Sequence, residues 1–124
     1  MGELRENAAT KIATLNGIDM NAVAATDLYT APTGKLVYIN YIILRNASIT
    51  LDTASFGFGW NANADDVVAP ATLGSVLTAT TKYRLVIPIF GAERGNAAEI
   101  LKIGVDIAQG APATMDVDVF GYLF

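Results

Sequence analysis

The chain has 124 residues, 12 of them acidic and 8 basic, and contains neither His nor Cys. That length suits one domain, which can bury roughly two thirds of its unfolded surface without covalent staples. The missing imidazole and thiol exclude Ser-His-Asp and Cys-His catalysis, disulfides and the common zinc sites, so we expect no enzyme, no cofactor and no metal.

The formal charge is −4, and the basic residues are scattered singly: Arg5, Lys11, Lys35, Arg45, Lys82, Arg84, Arg94 and Lys102. No basic run follows a phosphate backbone, so nucleic acid is not an expected partner. Charged residues make up 16% and apolar ones 52% of the chain, against roughly 25% charged in an average domain. A small interior cannot absorb all of that apolar surface, and part of it is expected to face a partner.

The opening MGELRENA is acidic and lacks the apolar core of a signal peptide. The longest apolar runs, such as YIIL at 41–44, fall far short of the ~18 residues of a membrane span. Leu4, Ala8, Ile12 and Leu15 stand at helical spacing, which fits a short helix or an extended arm. IATLNGIDM (12–20) reads alternatively as an extra strand. The expected organisation is an arm over 1–20 and a single domain over 21–124.

Strand chemistry dominates from about residue 26. KLVYINYIILRN (35–46) is β-branched and aromatic, with no Gly or Pro inside it. Strict alternation places Leu36, Tyr38, Ile42 and Leu44 on one face and Val37, Ile39, Tyr41 and Ile43 on the other. Both faces are apolar, so both are expected to be covered. Pro32-Thr33-Gly34 predicts a tight reversal from ATDLYTA into this strand. Asn46-Ala47-Ser48 matches a glycosylation sequon, read as chance without secretion.

SFGFGW (55–60) puts Phe56, Phe58 and Trp60 on one face, and NANADD follows. Asn61, Asn63 and Asp65 mimic the start of an EF-hand loop, but Asp66 stands where Gly is needed and Thr72 where Glu is needed. Gly57, Gly59 and Ala62 fit a dinucleotide fingerprint, but no helix is predicted there and position 79 is Ala. The glycines instead suggest close approach of another chain segment. Alternating aromatics on a strand are more often core than sugar platform. A ligand loop led by Trp60, Asp65 and Asp66 is kept as the alternative.

Residues 61–80 read as a long connection. In YRLVIPIF (83–90), Pro88 predicts an edge or interrupted strand. In LKIGVDIA (101–108), Leu101, Ile103, Val105 and Ile107 are expected inside. In TMDVDVFGYLF (114–124), Met115, Val117, Val119 and Leu123 are expected inside. Asp116 and Asp118 are expected on a solvated face, where they discourage edge pairing. Phe120, Tyr122 and Phe124 point away from the core face, and an aromatic terminus implies docking. Seven or eight short strands with this punctuation predict an all-β, antiparallel β-sandwich, jelly-roll-like.

ATDLYTAPTGKLVYINYIILRNAS (25–48) and SFGFGWN (55–61) together resemble small β-sandwich structural proteins of tailed bacteriophages. The matching residues are Leu28, Tyr29, Thr30, Pro32, Gly34, Lys35, Asn46 and Ser48, over about a third of the chain. The resemblance implies a virion protein assembled in the host cytoplasm, most simply a head decoration or cement protein. Its partners would be the major capsid protein or other virion subunits, and a homo-oligomer, such as a trimer, is expected. Leu4, Ile12, Leu15 and Ile18 are the expected arm contacts, with Phe120, Tyr122 and Phe124 as a second patch. The alternative is a small carbohydrate-binding or tail-associated sandwich module.

Overall fold

A computed structural model describes residues 10–60, 63–72, 84–89, 94–95 and 98–123. The strands are β1 (Thr10–Asp19), β2 (Ala25–Thr30), β3 (Val37–Arg45), β4 (Ser55–Trp60), β5 (Asn63–Thr72), β6 (Arg84–Pro88), β7 (Arg94–Gly95), β8 (Ile100–Ile107) and β9 (Thr114–Leu123). They form two antiparallel sheets, ordered β1-β9-β3-β6 and β2-β8-β4-β5, with the two-residue β7 added to β3.

The pairing is nested. β4 pairs β5, β3 pairs β6, β2 pairs β8 and β1 pairs β9. A long hairpin with its tip between β4 and β5 gives this set when it is rolled up. Rolling also brings β9 against β3 and β8 against β4. This is jelly-roll topology, in an all-β antiparallel sandwich.

The two inner faces supply the core. Val37, Ile42, Leu44, Met115, Val117 and Val119 from the first sheet are fully buried, as are Phe58, Leu101 and Ile103 from the second. Each such side chain contributes roughly 1.5–3 kcal/mol by leaving water. Phe56 and Phe58 meet edge to face, with centroids 6.3 Å apart.

Several expectations are corrected. Strict alternation misassigns β3, because its register shifts between Ile39 and Tyr41. Asn40 is an extra residue, so Val37 and Ile39 face inward before it and Ile42 and Leu44 after it. Tyr38, Tyr41 and Ile43 therefore lie on the outer face. Gly121 permits this: a Cβ there would collide with the Tyr38 carbonyl oxygen.

Residues 10–19 are strand β1 of the first sheet, so the 1–20 arm does not stand apart over that stretch. Helical spacing there is overridden by pairing along β9. The Pro32–Gly34 turn forms, with the Lys35 N–H donating to the Pro32 carbonyl at 3.2 Å and Gly34 at φ +77. It joins strands of different sheets and makes no hairpin between them. β5 occupies half of the supposed 61–80 connection. Its backbone bulges over Gly57, where a Cβ would meet the Val68 carbonyl oxygen. Pro88 ends β6 at the edge of its sheet. Ile107 and Leu123, expected inside, are 52% and 43% exposed at the ends of their strands.

Candidate functional site

The outer face of the β1-β9-β3-β6 sheet carries the polar and aromatic side chains that the core rejects. Register places them in rows running across the strands. Tyr122 lies beside Tyr38; Lys11, Phe120, Tyr41 and Pro88 follow in one row; Thr14, Asp118, Ile43 and Val86 form the next. Asp116 and Arg45 close the series. One end of the face is thus aromatic and the other ionic.

At the ionic end, Arg45 spans both acids. Its Nε and Nη2 donate to the two Asp118 oxygens at 2.9 and 3.1 Å, a bidentate fork. Its Nη1 donates to Asp116 Oδ2 at 3.0 Å. Thr14 Oγ1 donates to Asp118 Oδ1 at 2.8 Å. The Gly17 N–H donates to Asp116 Oδ1 at 2.8 Å, and Asn46 Nδ2 to Asp116 Oδ2 at 3.0 Å. Asn46 holds φ +57, a left-handed conformation that Asn tolerates better than most residues.

The two acids are 7% and 5% exposed, which corrects the expectation of a solvated face. They point outward, but Arg45 and β1 cover them. The Arg45 hydrogen bond holds the Asp118 carboxyl below its ordinary range, and the same bond raises the Arg45 guanidinium. The cluster ties three strands together, and every oxygen of its two carboxylates accepts a hydrogen bond. Among the described residues, no three of His, Cys, Asp and Glu group as a metal shell.

At the aromatic end, Tyr41 and Phe120 stack with centroids 4.7 Å apart and planes at 15°. Tyr38 and Tyr122 stack at 5.5 Å and 13°. These spacings match the distance between neighbouring strands, so the rings stand on edge above the sheet. Each ring spends one face on its partner. Beside them lie the half-buried Ile43 and Val86, which is 52% exposed.

No protein-family model and no curated protein matches this chain.

The candidate residues therefore stand on their placement. Phe120 and Tyr122 face outward as expected; Leu4 and Phe124 lie outside the described residues. Ile18 is 3% exposed, and Ile12 and Leu15 pack partly buried against the same core, so the proposed arm contacts at these positions serve the home domain. Their spacing looked free only because the partner strand lies about a hundred residues away.

Trp60 is 6% exposed, and its Nε1 is buried with no hydrogen-bond partner among the described residues. It is a core ring and cannot serve as a sugar platform. Asp66 is turned back onto the chain, its Oδ1 accepting the Trp60 backbone N–H at 2.9 Å. The Asp65 side chain lies outside what is described. Of the proposed ligand loop, two of the three residues are thus committed to the fold.

Sequence reasoning missed Arg45, Thr14, Asn16 and Asn46 as a group. The available signal was the isolated Arg at the end of an apolar strand, beside a second strand with alternating acids. Gln109 was missed as well: its Oε1 accepts the Thr53 and Ala54 N–H groups at 3.1 and 2.9 Å, and its Nε2 donates to Asp52.

Proposed function

We propose that this chain is a structural, non-enzymatic virion subunit, a head decoration or cement protein of a tailed phage. It would attach through the aromatic end of the β1-β9-β3-β6 outer face. The observation that carries this reading is the double stack Tyr41–Phe120 and Tyr38–Tyr122, continued by Ile43 and Val86 on the same face. Aromatic side chains are enriched at protein interfaces and dominate their energetics. The neighbouring acids, Asp116 and Asp118, both pair with Arg45, which offsets one of their two charges.

Two further points support the reading. Jelly rolls are a recurrent architecture of viral shells, and the 25–48 and 55–61 segments resemble phage structural proteins. Fold alone does not give function, so the outer face carries the argument. A stable contact buries about 1,600 Å² in total, and many copies on one particle add through avidity.

The alternative, a carbohydrate-binding module, loses its main support in the burial of Trp60. The remaining outer aromatics stand on edge, with one face of each closed by its partner.

The test is mass spectrometry of particles produced from the genome that carries this sequence, paired with a glycan array. The chain present in stoichiometric amounts, with no glycan bound, is the expected result. Particles free of the chain overturn the reading, and glycan binding favours the alternative.

A further inference from the structure

Asn16-Gly17 is the one Asn-Gly dipeptide of the chain; the other seven asparagines precede Ala or Tyr. It sits in a β1 bulge, where Leu15 pairs Val117 and Ile18 pairs Met115, so both residues oppose Asp116. Gly17 holds φ +69, and no heavy atom lies within 4 Å of where its Cβ would be. Asn16 is exposed.

Arg45 and Asp116 contact the two groups of this dipeptide that an intramolecular acyl transfer would use. Arg45 Nη2 donates to Asn16 Oδ1 at 3.2 Å and polarises the side-chain amide. The Gly17 N–H donates to Asp116 Oδ1 at 2.8 Å, within reach for a general base. Asp116 Oδ2 is held by Arg45 and Asn46, each at 3.0 Å, which fixes the carboxylate and leaves Oδ1 for the Gly17 proton. A nucleophile, a base and a cation aimed at the developing oxyanion are thus assembled around one amide.

We propose that Asn16 is a self-modification site, at which the folded chain promotes its own deamidation through a succinimide. The Gly17 nitrogen attacks Asn16 Cγ and gives its proton to Asp116. Negative charge gathers on Oδ1, where Arg45 holds it. The Cγ–Nδ2 bond then breaks, the proton passes to the leaving nitrogen, and ammonia departs. Water opens the ring at either carbonyl, giving aspartate or isoaspartate. Both products place a new carboxylate beside Asp116 and Asp118, and the isoaspartyl form adds a methylene to the β1 backbone. Either change loosens β1 from β9. The inference is independent of the function proposed above.

The experiment incubates the purified full chain at neutral pH, folded or in urea, and follows each asparagine by peptide-mapping mass spectrometry. Asn16 is expected to convert ahead of the other seven, and faster in the folded chain than in urea. Asp116→Asn should slow the folded chain several-fold and leave the rate in urea unchanged. The proposal is overturned if Asn16 converts no faster than the other asparagines when folded, or faster in urea than when folded. A folded Asp116→Asn variant with the wild-type rate overturns it too. If that variant fails to fold, the wild-type comparison alone decides.

Discussion

Tyr41 on β3 and Phe120 on β9 stack 4.7 Å apart on a face that the hydrophobic core does not use. Such a pair contributes about 0.5–1.5 kcal/mol beyond the area it buries, a modest return for two large rings left at the surface. Both rings are also half-buried, so replacing both with Ala should lower the unfolding free energy by about 2–4 kcal/mol and leave a folded protein. Binding to particles should fall far more. Urea denaturation beside co-sedimentation separates the two effects; equal binding by the double variant removes this face from the attachment site.

Arg45→Met leaves Asp116 and Asp118 close together, largely buried and without their cation. Removing one partner of a buried ionic group costs about 3–5 kcal/mol. Arg45→Lys restores charge but not the fork to Asp118, so it should fall between wild type and Met. Equilibrium urea unfolding of the three proteins orders them.

Acid should act through Asp118. Its carboxyl is held below the ordinary value of 3.8 by Arg45, so its contribution to stability is complete above the unfolded-state value. That contribution is lost as pH falls through the lower, folded-state value. The stability advantage of wild type over Asp118→Asn should accordingly be constant above about pH 5 and shrink below about pH 4. Thermal melts of both proteins across that range check the sign; an advantage that grows on acidification contradicts it.

Two glycine substitutions should differ sharply. A Cβ on Gly121 meets the Tyr38 carbonyl oxygen, which belongs to the backbone and cannot swing away. Gly121→Ala must push β3 from β9 and should cost at least about 1–3 kcal/mol, as overpacking does. Gly17→Ala meets no atom and bears only its positive φ, a cost of about 1–2 kcal/mol. In Gly121→Ala, fast amide hydrogen exchange should appear along β3 and β9; in Gly17→Ala it should stay confined to β1.

The fold class was legible because β8 and much of β9 alternate cleanly and because Gly and Pro mark the breaks. Even the outward direction of Phe120 and Tyr122 followed from counting by twos. What defeated counting was the bulge at Asn40, the one amide side chain in VYINYIIL, which reverses the parity of the strand beyond it. The ionic cluster was illegible for a different reason. Thr14, Arg45 and Asp118 are brought together by pairings that span most of the chain, with Thr14 and Asp118 separated by 104 positions. Local pattern says that an acid points away from the core; it does not say what waits on that side. Trp60 was read correctly as an inward ring, since its parity with Phe56 and Phe58 places it there.

The nested pairing has a consequence for how the molecule is made. β1 is the first of these strands to leave the ribosome, and its partner β9 comes nearly a hundred residues later. Pairings of such long range are slow, because loop closure must precede any return. Throughout synthesis, Ile12, Leu15 and Ile18 await a surface that does not yet exist. The hairpin of β4 and β5 can form early, and the outer pairs follow as the chain emerges. The β1–β9 pair cannot close before β9 is made, and a nascent chain stalled before residue 114 should be open to proteolysis along β1.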